Sequence, residues 1–412
     1  MERTKALYGR TLIIFVSLLL LCCSPIFASP ADRGCLNCHT KNADRVSPKN
    51  RTAPPPIEVQ TIEKSVHGKL SCLSCHQHYS SFPHDRKAGK ATCTSCHQRA
   101  AADYGTSVHG KQFSLGSNDV PSCTTCHGDH GILKSTNPQS RAYPSNLIKV
   151  CIQCHSDEKL EKRHELPEVG FIRAYEKSVH GQAIERGRLV VAAACNDCHG
   201  AHDIKAADNP KSLRQKSNIP LLCAKCHPGT YQIYLESTHG KALLRGVKEA
   251  PVCTNCHGEH VIAKPITPES RVSIRNIPAT CSSCHADRAI VEKYGLAAKR
   301  YTTYLKSYHG VALKYGMTVV AECASCHGYH DIRPSSDPRS SINKTNLART
   351  CGKCHPGASE NFARGTIHIE ATKESSPPVY FVRRFYVWFI GILLFCFVGY
   401  TALDLLGRFR NR

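Results

Sequence analysis

Residues 123–130 read Cys123-Thr124-Thr125-Cys126-His127-Gly128-Asp129-His130: two cysteines three apart, with a histidine directly after the second. The pattern C-x-x-C-H occurs eleven times in the 412 residues. Its cysteine pairs are Cys35 and Cys38, Cys72 and Cys75, Cys93 and Cys96, Cys123 and Cys126, Cys151 and Cys154, Cys195 and Cys198, Cys223 and Cys226, Cys253 and Cys256, Cys281 and Cys284, Cys323 and Cys326, and Cys351 and Cys354. The closing histidines are His39, His76, His97, His127, His155, His199, His227, His257, His285, His327 and His355. Of the 25 cysteines only Cys22, Cys23 and Cys396 lie outside the motifs, all three in apolar runs near the chain ends. The body of the chain therefore has no cysteine left for a disulfide.

Two thiols at this spacing beside an imidazole form the attachment pattern of haem c, with thioethers to the macrocycle and one axial bond to iron. Zinc ribbons also use C-x-x-C pairs, but zinc does not require a histidine after the second cysteine, and every copy here has one. Eleven haems leave about 35 residues of mature chain each, too few to enclose every cofactor in an apolar core of its own. The cofactors must pack on one another. The expected fold is mainly α with little regular secondary structure: an elongated multihaem array of repeated C-x-x-C-H modules plus one C-terminal transmembrane helix. No strand periodicity is visible.

The formal charge of +22 would by itself suggest nucleic acid or an anionic surface. Haem propionates, set against the ferric charge, lower it by about 11 to 22 units over eleven cofactors. Nucleic acid is not an expected partner.

The motifs fall into a repeat. Cys123, Cys195, Cys253 and Cys323 are each followed 28 residues later by a second motif, at Cys151, Cys223, Cys281 and Cys351. Each such module carries a histidine at offset seven (His130, His202, His260, His330) and a proline at fifteen (Pro138, Pro210, Pro268, Pro338). A serine follows at seventeen (Ser140, Ser212, Ser270, Ser340) and an asparagine at twenty-three (Asn146, Asn218, Asn276, Asn346). The last three positions predict a turn and a helix start between the two motifs. The true period is two modules, giving repeats near 93–222 and 223–350, with the stretch from Cys35 to Cys93 a shortened copy.

Haem iron needs a sixth ligand unless it is left open for chemistry. Methionine is nearly excluded, since the chain has only Met1 and Met317. Histidine outside the motifs is plentiful and regularly placed: His67, His78, His109, His130, His180, His202, His239, His260, His309, His330 and His368 give one for each haem. His84 and His164 are then surplus, with His84 competing with His78. One set sits in Ser-x-His-Gly (His67, His109, His180, His239, His309), with Thr-Ile-His-Ile at His368 as a variant. An amphipathic helix is expected before these histidines, ended by the glycine or opened by it to the porphyrin. The other set sits in C-x-x-C-H-G-x-H. Three residues from the proximal ligand, such a histidine cannot reach the far face of the same iron and should ligate a neighbouring haem, locking two haems into one module. Saturated bis-histidine iron passes electrons and binds no substrate.

Residues 1–28 have the charged start and short apolar run of a secretory signal. Residues 40–60 predict a loose linker, and residues 29–376 the haem region. Residues 379–404 are long and apolar enough to span a bilayer, with aromatics at the flanks and a basic tail over 405–412. With the haem region outside, the tail is cytoplasmic.

These motifs resemble the multihaem c-type cytochromes with doubled C-x-x-C-H modules. The chain is similar to membrane-anchored cytochrome c subunits of quinol-linked respiratory complexes, and to periplasmic decahaem cytochromes. That resemblance implies electron transfer in anaerobic respiration at the inner membrane. The implied partners are a membrane quinol-handling subunit, cytochrome b or similar, and other periplasmic cytochromes. A carrier subunit is expected rather than an enzyme. The alternative is a terminal reductase of nitrite or sulfur oxyanions with one open haem.

Overall fold

The computed structural model describes residues 30–40, 56–79, 84, 91–165, 170–365 and 367–410. The expected signal peptide and most of the expected linker lie outside them. The described residues form short helices joined by turns, with no strand among them, so the mainly α expectation holds. The chain divides into two units, Met1–Leu166 with Ala194–Ala206, and Pro167–Ala193 with Ala207–Arg412. Both are built from the same parts.

The first part is a one-turn motif helix: Cys123–His127 and Cys195–His199 in the first unit, Cys253–His257 and Cys323–His327 in the second. One turn brings positions one, four and five to the same face, which carries both thiols and the imidazole. The third motif residue closes the turn. The side chains of Thr125, Asp197, Asn255 and Ser325 accept the backbone N–H of the residue before the first cysteine at 2.7–3.2 Å. Gly128, Gly200, Gly258 and Gly328 then stop the helix at φ 83–88°, a conformation that costs glycine little.

The second part is the ligand helix: Val108–Ser114 in the first unit, Val179–Glu185, Thr238–Leu244 and Tyr308–Lys314 in the second. Here the sequence expectation needs correcting. A helix does precede each Ser-x-His-Gly, as at Gly170–Lys177 and Arg300–Leu305, but it ends before the serine. The serine caps a new helix, its Oγ accepting from the glycine N–H at 2.9–3.2 Å. The glycine thus lies in the first turn and ends nothing. It is required because the preceding helix packs against it. A Cβ at Gly110, Gly181, Gly240 or Gly310 would lie 1.9–2.2 Å from the carbonyl oxygen of Tyr104, Tyr175, Tyr234 or Tyr304. The same tyrosines reach forward, Oη donating at 2.6–3.1 Å to the carbonyls of Pro121, Ala193, Pro251 and Ala321, just ahead of a motif.

The Pro, Ser and Asn of the repeat form a clamp. The serines are buried, at 2–3% exposure. Each asparagine Nδ2 donates to both the proline and the serine carbonyl: Asn146 at 2.8 and 2.9 Å, Asn276 at 2.7 and 2.9 Å, and Asn218 and Asn346 likewise. Asn218, Asn276 and Asn346 also stand at the start of the helix carrying the second motif, where a helix start was expected. One backbone bond of 2.8 Å then joins successive modules, from Val66 to Ile132 and Val108 to Ile204 in the first unit, and from Val179 to Ile262 and Thr238 to Ile332 in the second.

Apolar burial is sparse. Val150, Ile184, Val252, Val291 and Leu313 are among the few large side chains enclosed by protein. Pro377–Arg410 is a 34-residue helix with none of its apolar window buried, long and apolar enough to cross a membrane. Pro377 and Pro378 open it, where missing N–H groups cost nothing. It continues past residue 404 because Asp404 pairs with Arg408 at 3.0 Å, one turn on.

Candidate functional site

Motif histidines are met by histidines from elsewhere in the chain. Ten such pairs are present among the described residues, with ring centroids 5.8–6.4 Å apart. That spacing is too wide for a direct hydrogen bond between ring nitrogens. An iron with an imidazole nitrogen about 2 Å away on each side holds two ring centroids about 6 Å apart. The residues therefore fit a bis-imidazole iron. The motif cysteines, half-buried or exposed, remain within reach of a macrocycle edge. No cluster of three or more His, Cys, Asp or Glu side chains suited to a bare metal ion occurs among the described residues.

The two sequence contexts divide the work. The Ser-x-His-Gly histidines face second motifs: His67 faces His97, His109 faces His155, His180 faces His227, His239 faces His285 and His309 faces His355. The C-x-x-C-H-G-x-H histidines face the first motif of the preceding module: His130 faces His76, His202 faces His127 and His330 faces His257. They tie module to module, where the spacing alone suggested a link within one module. His368, grouped by sequence with the Ser-x-His-Gly variants, faces a first motif instead, at His327.

At the N-terminal end the structure sets His84 opposite His39, 5.9 Å away and near parallel at 9°. The sequence leaves His78 and His84 as alternatives for a ligand in this stretch. His78 stands only two residues after His76 in the sequence. Tyr79 packs between them in sequence, its ring 4.1 Å from His84 and 5.9 Å from His76. The other surplus histidine has a separate partner: His164 Nε2 lies 3.0 Å from Asp119, which also pairs with Arg163. His199 and His260 are both half-buried or exposed among the described residues. Phe171 lies 5.1 Å from His260, and Phe362 lies 5.0 Å from His355.

Electrostatics favour neutral rings. Burial first, then the facing imidazole, lowers the basicity of His76, His109, His127, His180, His257, His309 and His327, and pushes His239 down to about 4. A neutral imidazole keeps the lone pair that iron needs.

Consecutive motifs are neighbours within each unit. In the first, the thiols of Cys35 and Cys72, Cys93 and Cys123, and Cys151 and Cys195 lie close enough to perturb each other, as do Cys75 with Cys93 and Cys126 with Cys154. In the second the same holds for Cys223 with Cys253, Cys256 with Cys281, Cys281 with Cys323, and Cys326 with Cys351. Burial, then Asp32, pushes the Cys72 thiol up to about 12, and the hydrogen bond with Cys323, then burial, holds Cys281 well above the usual thiol range.

Repeated C-x-x-C-H motifs on one-turn helices, each proximal imidazole met by another at iron-bridging distance, support a multihaem c-type cytochrome with covalently bound haem c. Residues 175–258 match the family model described as cytochrome c7 and related cytochrome c. No curated protein and no solved structure matches the chain.

Proposed function

We propose that the chain is a membrane-anchored electron carrier with eleven bis-histidine c-type haems, relaying electrons between a membrane quinol-oxidising partner and periplasmic acceptors. The observation that carries this reading is the recurrent facing of imidazoles across 5.8–6.4 Å. Iron held between these imidazoles would supply one-electron redox chemistry and would have no position left for substrate. The protein's own part is to hold the rings neutral and to fix their spacing through the serine-capped ligand helices and the Asn clamps. It also keeps consecutive motifs adjacent, so that within each unit the route follows chain order. His84, rather than His78, is assigned to the haem of Cys35 and Cys38.

The apolar helix Pro377–Arg410 starts nine residues after His368. This supports placing the haem sites at His327 and His355 nearest the inner membrane, where they would exchange electrons with a cytochrome b or similar quinol subunit. Other periplasmic cytochromes would be the acceptors. A variant truncated after residue 376 tests the assignment. It should keep full haem content by mass but lose quinol-dependent reduction in membranes. Quinol-dependent reduction at the full-length rate would contradict the proposal.

A further inference from the structure

Resting on the reading of His327 and His368 as an axial pair, we infer that Thr303 is the positioning residue that fixes the His368 ring for iron. Thr303 is buried at 7% exposure in the helix Arg300–Leu305. Its Oγ1 lies 2.8 Å from the Lys299 carbonyl oxygen, 3.0 Å from that of Arg300, and 3.1 Å from His368 Nδ1. A hydroxyl has one proton, and here the carbonyls take it. The contact with His368 then runs the other way, with Nδ1–H donating to Oγ1, and the Arg300 carbonyl is a further acceptor beside the ring. That selects the tautomer whose Nε2 lone pair is free, the arrangement in which an outer hydrogen bond orients a ligating imidazole. The same segment is pinned again two residues on, where Lys299 Nζ pairs with Glu370 at 2.9 Å.

Comparison of the modules explains why this support falls here. His130, His202 and His330 are carried on the tight turn of their own C-x-x-C-H-G-x-H, set by a glycine at φ 83–88°. His368 has no such turn before it. At the position equivalent to Thr303, directly before the repeat tyrosine, the other modules have Asp103, Ala174 and Ile233. The hydroxyl is thus particular to the module whose ligand lacks a motif turn.

The test uses full-length, detergent-solubilised holoprotein with haem content fixed by mass. Carbon monoxide uptake by the reduced protein and low-temperature EPR of the oxidised protein are compared for wild type, Thr303→Val, Thr303→Ser and His368→Ala. His368→Ala should open one haem equivalent. Thr303→Val, with its shape kept and its acceptor lost, should raise carbon monoxide uptake at that one haem by about 10- to 100-fold and shift its low-spin signal. Thr303→Ser should behave as wild type. If Thr303→Val matches wild type while His368→Ala opens a haem, the positioning role is wrong and the axial pair stands. If Thr303→Val opens several haems, the residue is a general structural support and the inference falls. If His368→Ala opens none, the axial reading of His368 fails, and the inference with it.

Discussion

At the scale of the residue, side chains that look alike in the sequence do different work. His78, His84 and His164 all lie outside the motifs, yet His84 faces His39 at 5.9 Å while His164 holds the Asp119 carboxylate. His84→Ala should therefore expose one high-spin haem by EPR, and His78→Ala none; the opposite outcome would restore the sequence assignment. Charge pairs invite a second test. Lys293 first, then Tyr294, holds the Glu249 carboxyl down at about 2, against an ordinary 4.5. A depressed carboxyl stabilises the fold above its unfolded pKa and loses that contribution as pH falls through the folded one. The thermal midpoint of wild type should exceed that of Glu249→Gln near pH 6, and the gap should close between pH 4.5 and about 2. A gap independent of pH would rule the ion pair out as its cause. The C-x-x-C-H motifs and the two main distal contexts were legible in the sequence, because C-x-x-C-H and Ser-x-His-Gly fix their own local geometry. The His84 assignment was not. It depends on tertiary placement that no motif encodes.

At the scale of the element, the short helices are held by side chain to backbone bonds more than by burial. Asn276 bridges the carbonyls of Pro268 and Ser270, so Asn276→Ala should cost about 1–3 kcal/mol, read as a lower unfolding midpoint with haem content unchanged. Gly240 fails differently. A Cβ there would stand 2.1 Å from the Tyr234 carbonyl oxygen, a backbone atom that cannot swing aside. Gly240→Ala should destabilise by about 1–3 kcal/mol through overpacking, and should also disturb the haem faced by His239. An unperturbed EPR spectrum would show that the ligand helix can shift freely. Of the two roles the sequence suggests for this glycine, ending a helix is excluded, though a glycine inside a first turn and one ending a helix look the same until the preceding helix is seen packed on it. The Pro, Ser and Asn offsets were legible as a turn and helix start. Their two-carbonyl clamp was not, because it joins residues six and eight apart through a side chain.

At the scale of the whole molecule, repetition replaces an apolar core. Few large side chains among the described residues are buried by protein alone, and consecutive motif cysteines lie side by side within each unit, so haem attached there would stand where a core would otherwise form. Removing the cofactors should then leave a chain that does not hold its tertiary structure, measured as collapse of near-ultraviolet circular dichroism in protein expressed without haem attachment. Its retention would show a self-sufficient protein core. The long apolar helix at the C-terminal end was legible from hydropathy. The pairing of His130, His202 and His330 with preceding modules was not, because spacing excludes the same iron without saying which neighbour is chosen. The central claim is that every iron has two histidines. Low-temperature EPR of the fully oxidised protein, with haem content fixed by mass, tests it most directly. Eleven low-spin haems without a stoichiometric high-spin signal are predicted; a stoichiometric high-spin signal that shifts on addition of nitrite or sulfite would contradict the carrier and make the protein a reductase.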